Sequence, residues 1–260
     1  MERSDFPNYI IFDPSKNITA LVDSKVDVKD FKDVAKKIID REPSVEQVGF
    51  LSSEEDADIA LRMAGDEFCG NATMCAAVYY GIKNNLSDAK VRVKVYSIDN
   101  LLEVDIKKIN KNEWEGTLMM PKPTEIKDVT FLDGKKYPVI FFSSIAHVII
   151  KNDLDNTFLK SYAESEIKKW CEFLNVKSLG IMYYDENDKK LTPLVYVKSV
   201  DTLFWENACA SGTAAIGYWL SYEKNDLVNI DVVQPSKSIL TVFTDENKNL
   251  YLKGKINCDI

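Results

Sequence analysis

The chain has 260 residues, enough for one large domain or two smaller ones. A hydrophobic fraction of 45% with 28% charged residues is that of an ordinary globular protein and excludes disordered, collagen-like and coiled-coil classes. The 33 basic and 41 acidic residues leave a net charge of −8, which repels a phosphate backbone and argues against a nucleic-acid partner.

The opening residues Met1 to Pro7 lack the basic-then-apolar pattern of a secretory signal. No uncharged apolar run approaches the roughly 20 residues needed to cross a bilayer, so a cytoplasmic location with no membrane partner is expected. The five cysteines, Cys69, Cys75, Cys171, Cys209 and Cys258, are odd in number and form no C-x-x-C pair, so reduced thiols are expected. His147 is the single histidine, which rules out metal sites built on several imidazoles; no metal is expected.

In chain order, Tyr9 to Phe12 and Ile18 to Val22 read as strands and Val28 to Ile39 as an amphipathic helix. Strands follow at 45–51, 57–63, 91–96 and 101–106, with turns at Asn84-Asn85 and Asp99-Asn100. After Trp114 the pattern recurs: strands at 116–120, 139–142, 147–150, 180–184 and 194–197, and a helix from Tyr162 to Leu174. This predicts an α+β fold of two pseudo-symmetric domains. The first spans 1–113, with 250–260 as a candidate completion, and the second 114–249; Pro121 and Pro123 lie close to the boundary. Lys107, Lys108 and Lys111, mixed with acids and asparagines, read as a solvated hairpin.

Two segments carry the chemistry, each opening with a cysteine: Cys-Gly-Asn-Ala-Thr-Met-Cys-Ala-Ala-Val-Tyr-Tyr from Cys69 and Cys-Ala-Ser-Gly-Thr-Ala-Ala-Ile-Gly-Tyr-Trp-Leu from Cys209. Aligned without a gap at a separation of 140 residues (209 minus 69), Cys69 falls on Cys209, Thr73 on Thr213 and Tyr79 on Trp219, as in an internal duplication. Neither segment carries a charge and both are apolar all round, the pattern of a helix buried on every side.

A helix N-terminus stabilises an anion through its unpaired N–H groups and the positive end of the macrodipole. A cysteine there is expected to ionise well below its usual value of about 8.5 and to act as a base near neutral pH. The amides of Gly70, Asn71, Ala210 and Ser211 are candidates to hold a substrate carboxylate. If the halves face one another, Cys69 and Cys209 flank one α-carbon, one as thiolate and the other as thiol. Cys75, Cys171 and Cys258 lack such a context and read as core residues.

Phe-Cys-Gly-Asn-Ala-Thr at 68–73 and Glu-Asn-Ala-Cys-Ala-Ser-Gly-Thr-Ala at 206–214 resemble the two active-site motifs of the diaminopimelate epimerase family. The likeness spans essentially the whole chain and takes in Asn17, Gln47, His147 and Gln234-Pro235. It implies two similar domains, each a mixed sheet rolled around a central helix, and a two-cysteine mechanism without pyridoxal phosphate, other cofactor or metal. It further implies that Cys69 and Cys209 are the acid/base pair, supported by His147 and Glu206, with Asn17 and Gln47 among the substrate-binding residues. A small-molecule amino acid is the implied partner, and a homodimer is compatible with it.

Two departures bear on the substrate. Diaminopimelate epimerases carry Arg directly after the residue corresponding to Glu206, where this chain has Asn207; the residues before His147 are Ser144, Ile145 and Ala146 instead of the usual Gly-Asn-Pro. Trp-Glu-Asn before the second cysteine and Glu-Phe-Cys-Gly-Asn-Ala-Thr-Met around the first are more similar to histidine racemases. Histidine is therefore the expected substrate, with Glu206, Asn207 and Gln47 as acceptors for an imidazole. Diaminopimelate epimerisation and a non-catalytic amino-acid-binding role are the alternatives.

Overall fold

Period-two burial is clearest where Leu102, Val104 and Ile106 on one strand and Trp114, Gly116 and Leu118 on the next turn inward while their neighbours face out. A computed structural model describes residues 6–131, 134–151 and 157–258, so the opening residues 1–5 and positions 259–260 of the expected boundary segment lie outside the described residues. The first half comprises β1 (Tyr9–Pro14), β2 (Thr19–Val22), α1 (Phe31–Arg41), β3 (Gln47–Ser52), β4 (Ile59–Met63), α2 (Gly70–Lys83), β5 (Asp88–Val95), β6 (Leu102–Lys108) and β7 (Glu113–Met119). The second comprises β8 (Glu125–Thr130), β9 (Lys136–Phe141), β10 (Ala146–Lys151), α3 (Thr157–Phe173), β11 (Ser178–Asp185), β12 (Lys190–Val197), β13 (Thr202–Trp205), α4 (Ala210–Lys224), β14 (Asn229–Val233), β15 (Ile239–Thr244) and β16 (Leu250–Cys258).

These strands form one mixed sheet. From β1 to β7 they neighbour one another in chain order, and β16 pairs with both β7 and β1, closing a ring of eight strands. α2 fills that ring and packs on every strand of it. The sheet continues from β16 through β15, β14, β12, β11, β10 and β9 to β8, with β13 added on β12, and α4 packs against β9, β10, β11, β15 and β16. The architecture is α+β.

Parallel neighbours need a crossover, and each helix supplies one: α1 between β2 and β3, α2 between β4 and β5, α3 between β10 and β11, α4 between β12 and β14. The order strand, strand, helix, strand, strand, helix, then three strands thus occurs twice, with β8 and β13 as additions in the second half. Strand alternation sorts the two helix types onto opposite faces. Leu21 joins the core around α2, whereas Ala20 and Val22 on the same strand pack with Phe31, Ala35 and Ile38 of α1.

The helices that open with cysteines are enclosed as their composition requires: Gly70 to Tyr79 and Ala210 to Leu220 are all buried. α2, α3 and α4 are each followed closely by an asparagine in the left-handed region, Asn85 (φ 54°), Asn175 (φ 53°) and Asn225 (φ 48°). The expected helix from Val28 begins as a short 3-10 turn over Val28–Asp30, because Val28 is solvent-exposed and the buried i, i+4, i+7 stripe starts at Phe31. The lysine-bearing hairpin is present, with Lys107, Lys108 and Lys111 exposed at the β6–β7 connection. Among the described residues no helix is long and apolar enough to cross a membrane.

Candidate active site

α2 and α4 start with the same cap. Cys69 is the extended N-cap of α2 (φ −126°, ψ 108°), its Sγ accepting from Ala72 N at 3.4 Å; Cys209 is that of α4 (φ −124°, ψ 104°), accepting from Gly212 N at 3.3 Å. Thr73 and Thr213 each donate Oγ1 to the carbonyl of their cysteine, at 2.8 and 2.7 Å. The amides of Gly70, Asn71, Ala210 and Ser211 precede the first helical hydrogen bond and belong to the positive end of each dipole.

The two amino ends abut. A Cβ on Gly70 would lie 2.9 Å from the Cβ of Ala210, so the approach depends on glycine at this point. Asn71 Nδ2 donates to Ala208 O at 3.1 Å across the junction. Gln234 fixes the other side: its Oε1 accepts from Cys209 N at 3.1 Å while its Nε2 donates to Thr213 Oγ1 at 3.0 Å.

Cys69 and Cys209 line one small cavity together with Gln47, Glu67, Glu206 and Ser211. Its volume of about 20 Å³ is room for a water molecule and not for an amino acid, so this is a closed arrangement. A cleft of about 580 Å³ between α1 and β13 shares Gln47, Glu67 and Glu206 with it and is large enough for a small ligand. Hydrogen bonds between the halves hold the walls together: Lys32 Nζ to Ser199 O at 2.5 Å, Ser199 Oγ to Gly65 O at 2.8 Å, Phe68 N to Ser144 Oγ at 2.9 Å and Gln47 Nε2 to Glu206 Oε1 at 2.8 Å.

Burial dominates the electrostatics and corrects one expectation from sequence. Both thiols were expected to ionise below their usual range; instead desolvation pushes Cys69 and Cys209 well above it, and the nearby Glu206 carboxyl adds to the effect on both. The amides of the helix ends oppose the shift without overcoming it, because a thiolate in a closed cavity loses its water. The same loss of water pushes Glu206 up to about 8 and Glu67 to about 7. The interaction between the Glu206 carboxyl and the Cys209 thiol lowers the acid and raises the thiol, so it favours the proton on sulfur. Burial lowers His147 to about 3, leaving it neutral.

The residues singled out from sequence fall into two groups. Cys69, Cys209, Gln47, Glu206, Gly70, Ala210 and Ser211 border the small cavity. Asn17, Asn71, Asn207 and His147 stand behind its wall. Asn17 Nδ2 and Asn207 Nδ2 donate to the two oxygens of Glu46, at 2.7 and 2.5 Å, Asn71 Nδ2 donates to Asn17 Oδ1 at 2.9 Å, and His147 Nε2 lies 3.0 Å from Ser211 Oγ. Sequence reasoning missed Glu46 and Glu67. Glu67 lies two positions before Cys69 and lines both spaces, and Glu46 borders the larger cleft next to Gln47.

Residues 7–259 match the family model described as the histidine racemase CntK N-terminal domain. A histidine racemase of Staphylococcus aureus is 32% identical over 88% of this chain and 85% of its own length, and one of Fusobacterium nucleatum is 32% identical over 96% and 93%. A diaminopimelate epimerase of Carboxydothermus hydrogenoformans is more distant, at 24% over 81% of each chain. In architecture the chain resembles a predicted epimerase from Pseudomonas aeruginosa, with a TM-score of 0.74 at 11% identity, covering 98% of this chain and 97% of that one. A putative phenazine biosynthesis PhzC/PhzF protein of Clostridium difficile follows at 0.56 and 14%, covering 97% and 96%. The chain belongs to the histidine racemase family and is an isomerase of the amino-acid racemase class.

Proposed function

We propose that the chain interconverts L- and D-histidine without a cofactor, one cysteine removing the α-proton and the other delivering a proton to the opposite face. The observation that carries this reading is the pair of matched cysteine N-caps bordering one cavity between abutting helix ends. The substrate carboxylate lies against the amides of Gly70, Asn71, Ala210 and Ser211, where two helix dipoles stabilise the charge that spreads into it as the α-proton leaves. Cys209 exchanges its proton with Glu206. A bound α-ammonium beside Glu206 and Glu67 supplies the positive charge that brings the buried acids and thiols back toward ionisation. Closure excludes water and holds the reacting atoms in line.

The acidic wall formed by Glu46, Glu67 and Glu206 supports histidine over a substrate with a second carboxylate. Such a wall accepts the N–H groups of an imidazole and repels an anion. The test is a panel of L-amino acids and diaminopimelate, incubated with purified protein without added cofactor and resolved by chiral separation. D-histidine is the expected product. Inversion of diaminopimelate with histidine untouched would overturn the substrate, and no turnover of any amino acid would favour a binding role.

A further inference from the structure

The two caps differ at the position two residues after each cysteine. Two residues after Cys69 stands Asn71, whose amide is turned away to Asn17 Oδ1 and Ala208 O at 2.9 and 3.1 Å. Two residues after Cys209 stands Ser211, whose hydroxyl lies 3.7 Å from the Cys209 sulfur and 3.0 Å from His147 Nε2. Among the described residues the Cys69 sulfur accepts hydrogen bonds only from backbone amides of α2, with the Glu67 and Glu206 carboxyls acting on it through their charge.

The His147 ring is held in place by the sheet. His147 on β10 pairs in register with Gly180 on β11, where a Cβ would lie 2.3 Å from Nδ1, so glycine there makes room for the imidazole. His147 is fully buried and its Nδ1 has no hydrogen-bond partner. A buried N–H without an acceptor is rarer than an unsatisfied acceptor, so the proton belongs on Nε2, directed at Ser211 Oγ. The hydroxyl then has one direction left for its own proton, toward sulfur.

We infer that Ser211 is a positioning residue that carries the orientation imposed by His147 to Cys209 and eases ionisation of that thiol, a support that Cys69 lacks. The inference rests on the two-cysteine reading proposed above. When the Cys209 thiolate takes the α-proton it becomes a thiol, and Ser211 keeps its own proton throughout. The other groups facing the Cys209 sulfur are Glu206 from the segment before α4, and Cys69 and Glu67 across the cavity; none of them is altered by a change at Ser211.

The test is alkylation by iodoacetamide as a function of pH, with peptide mapping to follow each cysteine separately. In Ser211→Ala the midpoint for Cys209 is expected to rise by about one pH unit, the loss of one hydrogen bond to a charged acceptor, while that of Cys69 stays put. Ser211→Thr should restore it. His147→Ala should raise the Cys209 midpoint by a similar amount, and the double variant should add nothing further, because one group acts through the other. An unmoved Cys209 midpoint, equal shifts at both cysteines, no recovery with threonine, or additive effects of the two substitutions would each overturn the inference. These outcomes are read whether or not the protein turns over histidine, so failure of the racemase reading is seen separately, as no product in the chiral assay.

Discussion

At the scale of single residues, the site sets a buried acid against a buried thiol. Glu206 is raised to about 8 because burial removes water from its carboxylate. A carboxyl whose folded value lies above its unfolded one binds extra protons in the native state, so its contribution to stability is complete below about 4.5 and is lost as pH rises through about 8. Glu67, raised to about 7, acts in the same direction over a narrower window. Glu206→Gln should therefore leave the melting temperature nearly unchanged near pH 4.5 and raise it on the order of 5–10 °C relative to wild type near pH 8.5. Differential scanning fluorimetry across that range is the check, and a gap that does not change with pH would contradict the raised carboxyl. The matched cysteine caps were legible at this scale, because the two cysteine segments can be laid over one another. Glu46 and Glu67 were not, because a charged residue in a strand or before a helix reads as solvent-facing until the fold buries it. The direction of the thiol shifts was also out of reach, since it depends on closure of the cavity and not on the local helix end.

At the scale of elements, the site depends on how closely two helices approach end to end. Gly70 is the contact point, and an added methyl would meet the Cβ of Ala210 at 2.9 Å. Both neighbours are held by caps and by Gln234, so neither helix can give way cheaply. Gly70→Ala should spread the amino ends and lower kcat/KM by about 10- to 100-fold, the cost of misplacing reacting groups by a fraction of an ångström, with kcat affected more than KM. Steady-state kinetics with a parallel melting curve decides the point; a wild-type kcat would show that the close approach is not required. Elements with strong patterns were readable in the sequence, notably α2, α4 and the β6–β7 hairpin. Five strands were not: β8, β13, β14, β15 and β16. β8 is exposed or half-buried throughout, and β13 is four half-buried residues. In β16 the inward set Leu250, Leu252, Gly254, Ile256 and Cys258 does alternate, but the glycine and the intervening lysines mask it.

At the scale of the molecule, a repeated nine-element unit lays two buried helices so that their amino ends meet, and β16 shared by both halves ties the arrangement together. The small cavity at that meeting point is too tight for an amino acid, so the proposed mechanism requires the cleft between α1 and β13 to open and the bonds across it, such as Lys32 to Ser199, to break and reform. Two thiols bordering one cavity should also be open to oxidation as a pair. Mild oxidant is expected to join Cys69 to Cys209 and abolish activity reversibly, as read by peptide mapping under non-reducing conditions, whereas inactivation with both peptides unlinked would place the sulfurs too far apart in solution. The most direct measurement follows histidine in deuterated water through early turnover. D-Histidine formed from L-histidine should carry α-deuterium while the remaining L-histidine stays unlabelled, and either Cys69→Ala or Cys209→Ala should slow inversion by about 1,000-fold or more. Inversion at the wild-type rate in either variant would contradict a mechanism that needs one sulfur on each face of the α-carbon.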